Sequence, residues 1–434
     1  MASLDTLPCE ILLQIFNDNS PQDLCCLSYT CKRLGSIAGA CFWKDIELHE
    51  RGYHKSSAEL NEPLPYKSPN RFYHNTKRNG WRSGINKRAE KLFTLLQTLH
   101  ARDEERLKEL AGRVKCLCTV IEAFWHPGES LVEDSVSVWN LLPYFTNLEY
   151  LELHGNQWED LPEIRAAPLS KLRFAKLFGY IPRPVATYVL RSEKTLERLE
   201  LGMLDQPVSR DAGIAVEDDM NRGRRQISSG GAVPRPLGDF FPNTSTSFPR
   251  LTHLYLCQPS NSWGDYFNQS NSWSVSAEKS SLEAWRKLLL ASSRTLETLV
   301  LEQRPAAGEE DNEGFSEEEF LNTGATGFGD RALVETLGRT IIDKDALPKL
   351  SQVYLYGLVA RPRARGRPPH ETPADWLLHG LEGRGVTCEA RRGKWCLFDQ
   401  DSGETNWAKW AGDGNYNVHD CYMGIRWYTL LAEV

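Results

Sequence analysis

The sequence predicts an α/β protein: a small three-helix head, then a long body in which short strands and helices repeat as an irregular, horseshoe-shaped solenoid. Three observations predict it. Three short helical segments and a closing tryptophan occupy the first fifty residues. The spacing Leu-x-x-Leu-x-Leu, or a close copy, recurs six times between residues 148 and 355. Segments of helical periodicity lie between several of those copies. At 434 residues the chain exceeds one ordinary core; a prior of roughly 150 residues per domain asks for about three compact units or one elongated repeat.

The head comes first. Pro8 suits a first helical position, where its missing N–H costs nothing. Ile11, Leu12, Ile15 and Phe16 recur at helical spacing and form one apolar face. Ser20-Pro21-Gln22-Asp23 is a second start signal, with Ser20 able to cap and Asp23 favoured at the positive helix end. Leu24, Leu27 and Cys31 continue that face; Leu34, Ile37 and Ala38 follow, and the segment closes on Trp43 and Ile46. So few residues do not easily build a stable core alone, so the unit leans on a partner or on the body.

These residues carry a resemblance. Leu7-Pro8-x-Glu10-Ile11-Leu12-x-x-Ile15-Phe16, then Pro21-x-Asp23-Leu24-x-x-Leu27, then Cys31-Lys32-Arg33 and Trp43, resemble the F-box motif. The resemblance covers about a tenth of the chain. It implies docking onto the Skp-family adaptor of SCF ubiquitin ligases, and through it onto cullin and RING subunits. Carried over by position, the adaptor contacts would be Leu7, Pro8, Ile11, Ile15, Phe16, Leu24, Leu27 and Trp43. The sequence departs from the family at Asn19, where an apolar residue is usual, and at Leu34, which replaces a common tryptophan. The stretch before Trp43 is also about one residue shorter than usual.

Residues 51–88 read as a basic linker, since residues 66–91 hold eight basic side chains against one acid, Glu90. The body, 89–398, opens with an amphipathic helix marked by Leu92, Leu95, Leu96 and Leu99 and ending near Gly112, then a strand over 114–121. Leu148-Glu-Tyr-Leu151-Glu-Leu153-His-Gly-Asn156 fits the leucine-rich-repeat core in full. Weaker copies begin at Leu172, Leu196, Leu251, Leu296 and Leu350. The first three starts are 24 residues apart, within the roughly 20–29 of this class, and the later intervals of 55, 45 and 54 imply insertions or an unrecognised copy. Ser280-Ser281-Leu282-Glu283 is a capping-box signal ahead of Trp285, Leu288 and Leu289; Leu333, Val334, Leu337 and Ile341 mark another helix. An F-box followed by irregular repeats resembles the F-box/leucine-rich-repeat proteins, the fungal-type ones in particular.

Insertions are expected near 205–249, 305–329 and 361–373. The first is rich in Gly, Pro, Ser and Arg and reads as a mobile loop; the second holds seven acids and no Lys or Arg. In the third, Arg365-Gly366-Arg367-Pro368 is similar to a minor-groove-binding core, but four residues in a loop of an acidic chain argue for a solvated turn. Residues 399–434, rich in tryptophan, would cap the open end of the solenoid.

Strand side chains alternate, so residues between the consensus leucines should project onto the concave face. That predicts a substrate surface of Tyr150, Glu152, His154, Phe174, Lys176, Arg198, Glu200, His253, Tyr255, Tyr354 and Tyr356, with Phe178, Thr298, Val300, Glu302 and Gln352 alongside. Aromatics there would supply contact area for a protein substrate of unknown identity.

Composition limits the rest. A net charge of -7 and a pI near 5.9 argue against a nucleic-acid partner. No apolar run approaches the roughly 20 residues of a membrane span. None of the eleven cysteines forms C-x-x-C, and Cys25–Cys26 and Cys116-x-Cys118 are poor zinc spacings, so no metal or cofactor is expected; reduced thiols fit cytoplasm or nucleus. Phosphate-loop, zinc-protease and nucleophile-elbow motifs are absent, which predicts a non-catalytic subunit. The rival expectation is a leucine-rich-repeat scaffold whose F-box serves a non-ubiquitin role or is degenerate.

Overall fold

The computed structural model describes residues 4–19, 21–48, 80–121, 136–155, 161–205, 233–237, 247–260, 275–308, 328–358, 372–391 and 396–398. An N-terminal helical unit runs into a mixed helix/strand body built on one parallel sheet.

The head consists of a 3-10 turn, Leu4–Thr6, and helices α1 (Cys9–Asn17), α2 (Pro21–Ser28) and α3 (Lys32–Lys44). Leu12, Phe16, Leu24, Leu34, Ala38 and Cys41 form its small core. Leu34, the departure from the usual tryptophan, fills that interior, whereas Asn19 is half-buried at its edge. The Cys31-Lys32-Arg33 run has a structural role. Cys31 caps α3, its sulfur accepting from the Leu34 N–H, and Arg33 donates 2.6 Å to the Leu7 carbonyl, tying the chain start to α3.

Helix α3 passes directly into strand β1 (Asp45–Glu47), the first strand of the main sheet. Ile46 pairs in register with Leu117 of β2 (Cys116–Ile121), and Trp43 and Leu48 pack against the body's core. Trp43-x-x-Ile46-x-Leu48 is thus a degenerate copy of the repeat spacing, and the head joins the body without an intervening linker at this point.

Helix α4 (Gly80–Arg102) begins inside the stretch read as a linker; the remainder of that stretch lies outside the described residues. The helix does not continue to Gly112. Asp103 accepts from the Arg106 N–H and starts α5 (Glu104–Ala111). The buried side chains of α4 are Ala89, Phe93, Leu96 and Gln97, while Leu95 is exposed, so the true apolar face is rotated from the expected one.

The strands follow in chain order across the sheet: β1, β2, β3 (Tyr150–Gly155), β4 (Phe174–Tyr180), β5 (Arg198–Asp205), β7 (His253–Ser260), β8 (Thr298–Gly308), β9 (Gln352–Tyr356) and β10 (Thr387–Arg391), each parallel to its neighbour. Two short strands stand off this path: β6 (Val233–Pro234) pairs antiparallel with β5, and β11 (Cys396–Phe398) pairs with β8. Leucines recur because one row across the sheet is Leu117, Leu151, Ala175, Leu199, Leu254, Leu299 and Val353, and every one is essentially buried. A further copy of the spacing runs into strand β2, Val114-x-x-Leu117-x-Thr119, in which a threonine hides the pattern.

Helices α6 (Arg183–Leu190), α7 (Val275–Ala291), α8 (Phe328–Ile342) and α9 (Pro373–Arg384) connect later strands. Helix α7 starts before Ser280, so the expected capping box sits inside it. A real one opens α9: the Thr372 hydroxyl accepts from the Asp375 N–H, and Asp375 accepts from the Thr372 N–H, both at 3.1 Å. Pro373, placed in the third insertion, is therefore helical. The first insertion also returns to the sheet: beside β6, Arg235 reaches the buried Asp205 carboxylate at 3.0 Å. Strand β8 runs three residues past 305, into the expected acidic loop. The acidic residues themselves, the Arg365–Pro368 motif and the C-terminal cap lie outside the described residues. No described helix is long and apolar enough to cross a membrane.

Candidate functional site

Two surfaces are candidates. The first is on the head. Helix α1 turns Leu12 and Phe16 inward and leaves Ile11, Leu13 and Ile15, which flank that buried stripe on its two sides, about 40% exposed, with Leu4 and Phe42 similarly open. Pro8 is exposed and Leu7 half-buried beside them, and Leu27 is half-buried on α2. Five large apolar side chains in the open on so small a unit is the pattern of a surface that a partner covers.

Three expected contact residues lie elsewhere. Phe16 is 0% and Leu24 6% exposed, both interior to the head, and Trp43 belongs to the junction with the sheet. Their apolar character serves folding. Leu4, Leu13 and Phe42 are exposed without having been expected to be, and Leu13 is legible in the sequence as an apolar residue off the buried stripe.

The second candidate is the sheet face expected to be concave and open. Alternation places the expected residues on one face, in three rows. Tyr150, Phe174, Arg198, His253, Thr298 and Gln352 are register partners; so are Glu152, Lys176, Glu200, Tyr255, Val300 and Tyr354; so are His154, Phe178, Gly202 and, further along, Glu302 and Tyr356. The expectation that they are exposed is corrected. Glu152, His154, Phe178, Glu200, Tyr255, Val300, Glu302, Tyr354 and Tyr356 are buried, and Thr298 nearly so. Only the first row stays partly open: Tyr150, Phe174, Arg198 and His253 are half-buried, Gln352 is exposed, and Lys176 joins them from the second row.

The buried rows hold a polar network. Glu152 is its hub: Oε1 accepts from Lys176 Nζ and His154 Nε2, each at 2.7 Å, and Oε2 accepts from the Tyr150 hydroxyl at 3.1 Å. The Cys118 thiol of β2 faces Glu152 from the register-paired position, its sulfur within 4.8 Å of a carboxylate oxygen. Arg198 holds Glu200 at 2.6 Å, and the Tyr255 hydroxyl donates to Glu302. Aromatic rings line the same face. Tyr150 stacks on Phe174 at 4.1 Å, Arg198 lies over Phe174, Lys176 lies over Phe178, and Phe178 stacks on Tyr255. Gly202 makes this possible, because a Cβ there would stand 2.7 Å from the Phe178 ring.

Burial sets the protonation states. It drives the Tyr150 hydroxyl far above the usual tyrosine range, with Glu152 adding to it. Burial also raises the Cys118 thiol, again with Glu152 contributing, so the thiol stays protonated at neutral pH. For Lys176, burial pulls the ammonium down, but Glu152 and Glu200 outweigh it and the net shift is upward. His253 is lowered by burial and by Arg198, so it is neutral at pH 7. The face therefore presents fixed charges with partners in place rather than loose titratable groups.

Residues 4–49 match the model of the F-box-like family. No curated protein matches the chain. The chain thus carries an F-box-like domain, which supports reading it as an F-box protein. Domains of this type typically bind Skp-family adaptors.

Proposed function

We propose that this protein is the substrate-recognition subunit of an SCF-type E3 ubiquitin ligase. The head binds the Skp-family adaptor, and through it cullin and RING subunits, and the body captures a protein substrate. The chain itself is non-catalytic: it holds the substrate near another subunit's ubiquitin-charged enzyme and raises the effective concentration. The body is an irregular leucine-rich-repeat solenoid of the fungal F-box/leucine-rich-repeat type, working in cytoplasm or nucleus.

The observation that carries this reading is the exposure of Ile11, Leu13 and Ile15 on α1, within a segment that matches the F-box-like family. The solenoid is supported by parallel strands that follow in chain order and by leucine rows that each bury against their neighbours. Substrate would meet the half-open row of Tyr150, Phe174, Arg198 and His253 with Lys176, since the deeper rows are already occupied.

Co-purification tests the reading. The full chain is expressed with adaptor and cullin, and the Leu7→Ala, Pro8→Ala pair is run beside it. Wild type should bring down both subunits and the pair should lose them. Failure of the wild-type chain to hold adaptor would sink the proposal, and adaptor without cullin would point to a non-ubiquitin role.

A further inference from the structure

Three donor atoms of different chemistry meet between β2 and β3. Cys118 and Glu152 are register partners, and His154 lies two residues along β3, on the same face. A sulfur, a carboxylate oxygen and an imidazole nitrogen all lie within 4.8 Å of one another, and the three residues are buried. Among the described residues this is the one such group of three.

Hydrogen bonding explains part of the arrangement. A carboxylate has about four lone-pair sites, so Glu152 serves Lys176, Tyr150 and His154 together with room for a further group such as Cys118. That accounts for the contacts but not for the choice of side chains. Lys176 already pairs the charge and Tyr150 already occupies the second oxygen, and any hydroxyl or amide could fill the other two places. Thiol and imidazole are instead the two side chains that zinc and its neighbours prefer.

We propose that Cys118, Glu152 and His154 bind a divalent transition-metal ion of zinc's class through the thiolate sulfur, one carboxylate oxygen and one imidazole nitrogen. Zinc holds such ligands at about 2.0–2.3 Å, which sets donor atoms roughly 3–4 Å apart, so small side-chain movements suffice. Adjacent strands hold the ligands rigidly, which favours a preformed site. The Tyr150 hydroxyl, on Oε2, orients the carboxylate from outside the coordination shell. Thiolate and carboxylate together balance a dication. Lys176 keeps a carboxylate neighbour when the ion takes Oε1, because Glu200 is its register partner on the other side. Half-buried Tyr150 and Lys176 border the site and offer an entry path. Three protein ligands leave a fourth position for water or for a side chain of a bound partner.

The spacing of cysteines could not show this, because the ligands come from different repeats. The full-length chain, stripped with chelator and dialysed against zinc, should retain one ion per chain. X-ray absorption of that sample should show one sulfur, with nitrogen and oxygen for the rest. A shell of two or more sulfurs would assign the ion to other cysteines, such as the exposed Cys9, Cys25, Cys26 and Cys31, and overturn the proposal. So would retention of less than a tenth of an equivalent. In cobalt titrations the thiolate charge-transfer band should weaken at least tenfold in affinity with Cys118→Ser or His154→Asn and be unchanged with Cys9→Ser; an unchanged band in folded Cys118→Ser also overturns it. Should those variants unfold, the wild-type absorption spectrum still decides.

Discussion

Replacing Lys176 by methionine is the most informative perturbation of the sheet face. Lys176 Nζ sits 2.7 Å from Glu152 Oε1, with side-chain exposures of 13% and 1%. Methionine keeps an apolar stem of similar length but removes the ammonium, including its position over the Phe178 ring. The carboxylate is then buried with its hydrogen bonds from Tyr150 and His154 and without its cation. Breaking one side of a buried pair costs about 3–5 kcal/mol, and the surviving donors favour the lower end, about 3 kcal/mol. For a body of this size each kcal/mol moves Tm by about 2–4 °C, so a fall of roughly 6–12 °C is expected. Thermal unfolding followed by circular dichroism in chelator-containing buffer measures it. Adding Glu152→Gln to the same chain should restore at least about 2 kcal/mol, because the uncompensated charge is gone. The sign with pH is also fixed. The folded value of Lys176 is raised, so its stabilisation is complete below the ordinary lysine value of about 10.4 and is lost as pH rises through the higher folded value. The gap between wild type and Lys176→Met should therefore be flat from pH 7 to about 10 and shrink above. A Tm change under about 1 °C, or no recovery in the double variant, would refute the hub assignment.

Phe16→Ala should cost about 3–5 kcal/mol in the head and raise hydrogen exchange across residues 9–44, with the sheet beyond β2 protected as before. Trp43→Ala should lower the melting temperature of the body while shifting adaptor affinity less than about threefold; a tenfold loss of affinity in a folded variant would restore Trp43 to the docking surface. Thr372→Ala removes the capping box of α9 and should cost about 1 kcal/mol, seen as faster exchange in its first turn. No change there would mean that packing alone sets the helix start.

Much of the fold was legible because each of the main strands carries its share of the buried leucine row in the sequence. Leu151, Leu199, Leu254 and Leu299 could be placed from spacing alone. Copies were lost where a different residue fills the leucine position, as with Thr119 in β2 and Trp43 at the end of α3, just ahead of β1. Helix starts were harder. Ser280 looks like a cap but lies within α7, whereas Thr372 and Asp375 form a real capping box that reads as loop beside a proline. The expected residues share one face of the sheet, yet most of them are buried, because alternation fixes which way a side chain leaves a strand and says nothing of what covers it. Glu152, Glu200 and Glu302 read as solvated acids in isolation. Lys176 and Tyr255, partners of Glu152 and Glu302, come from neighbouring repeats, and a sequence shows those pairings only once register is known. The head shows the same limit: Phe16 and Ile15 are equally apolar, and only packing separates the one that folds the unit from the one left outside.

The most direct test of the receptor reading is a calorimetric titration of the full chain with purified Skp-family adaptor, wild type against Ile11→Ala, Ile15→Ala. Both side chains are about 40% exposed, and each loses roughly three carbons, worth ~0.8 kcal/mol apiece when fully buried. Covering the open part thus contributes about 1 kcal/mol per residue, so the pair should weaken binding roughly 30-fold in a variant that circular dichroism shows to be still folded. Wild-type binding with that loss is the predicted result; no wild-type binding, or equal affinity in a folded double variant, would contradict it.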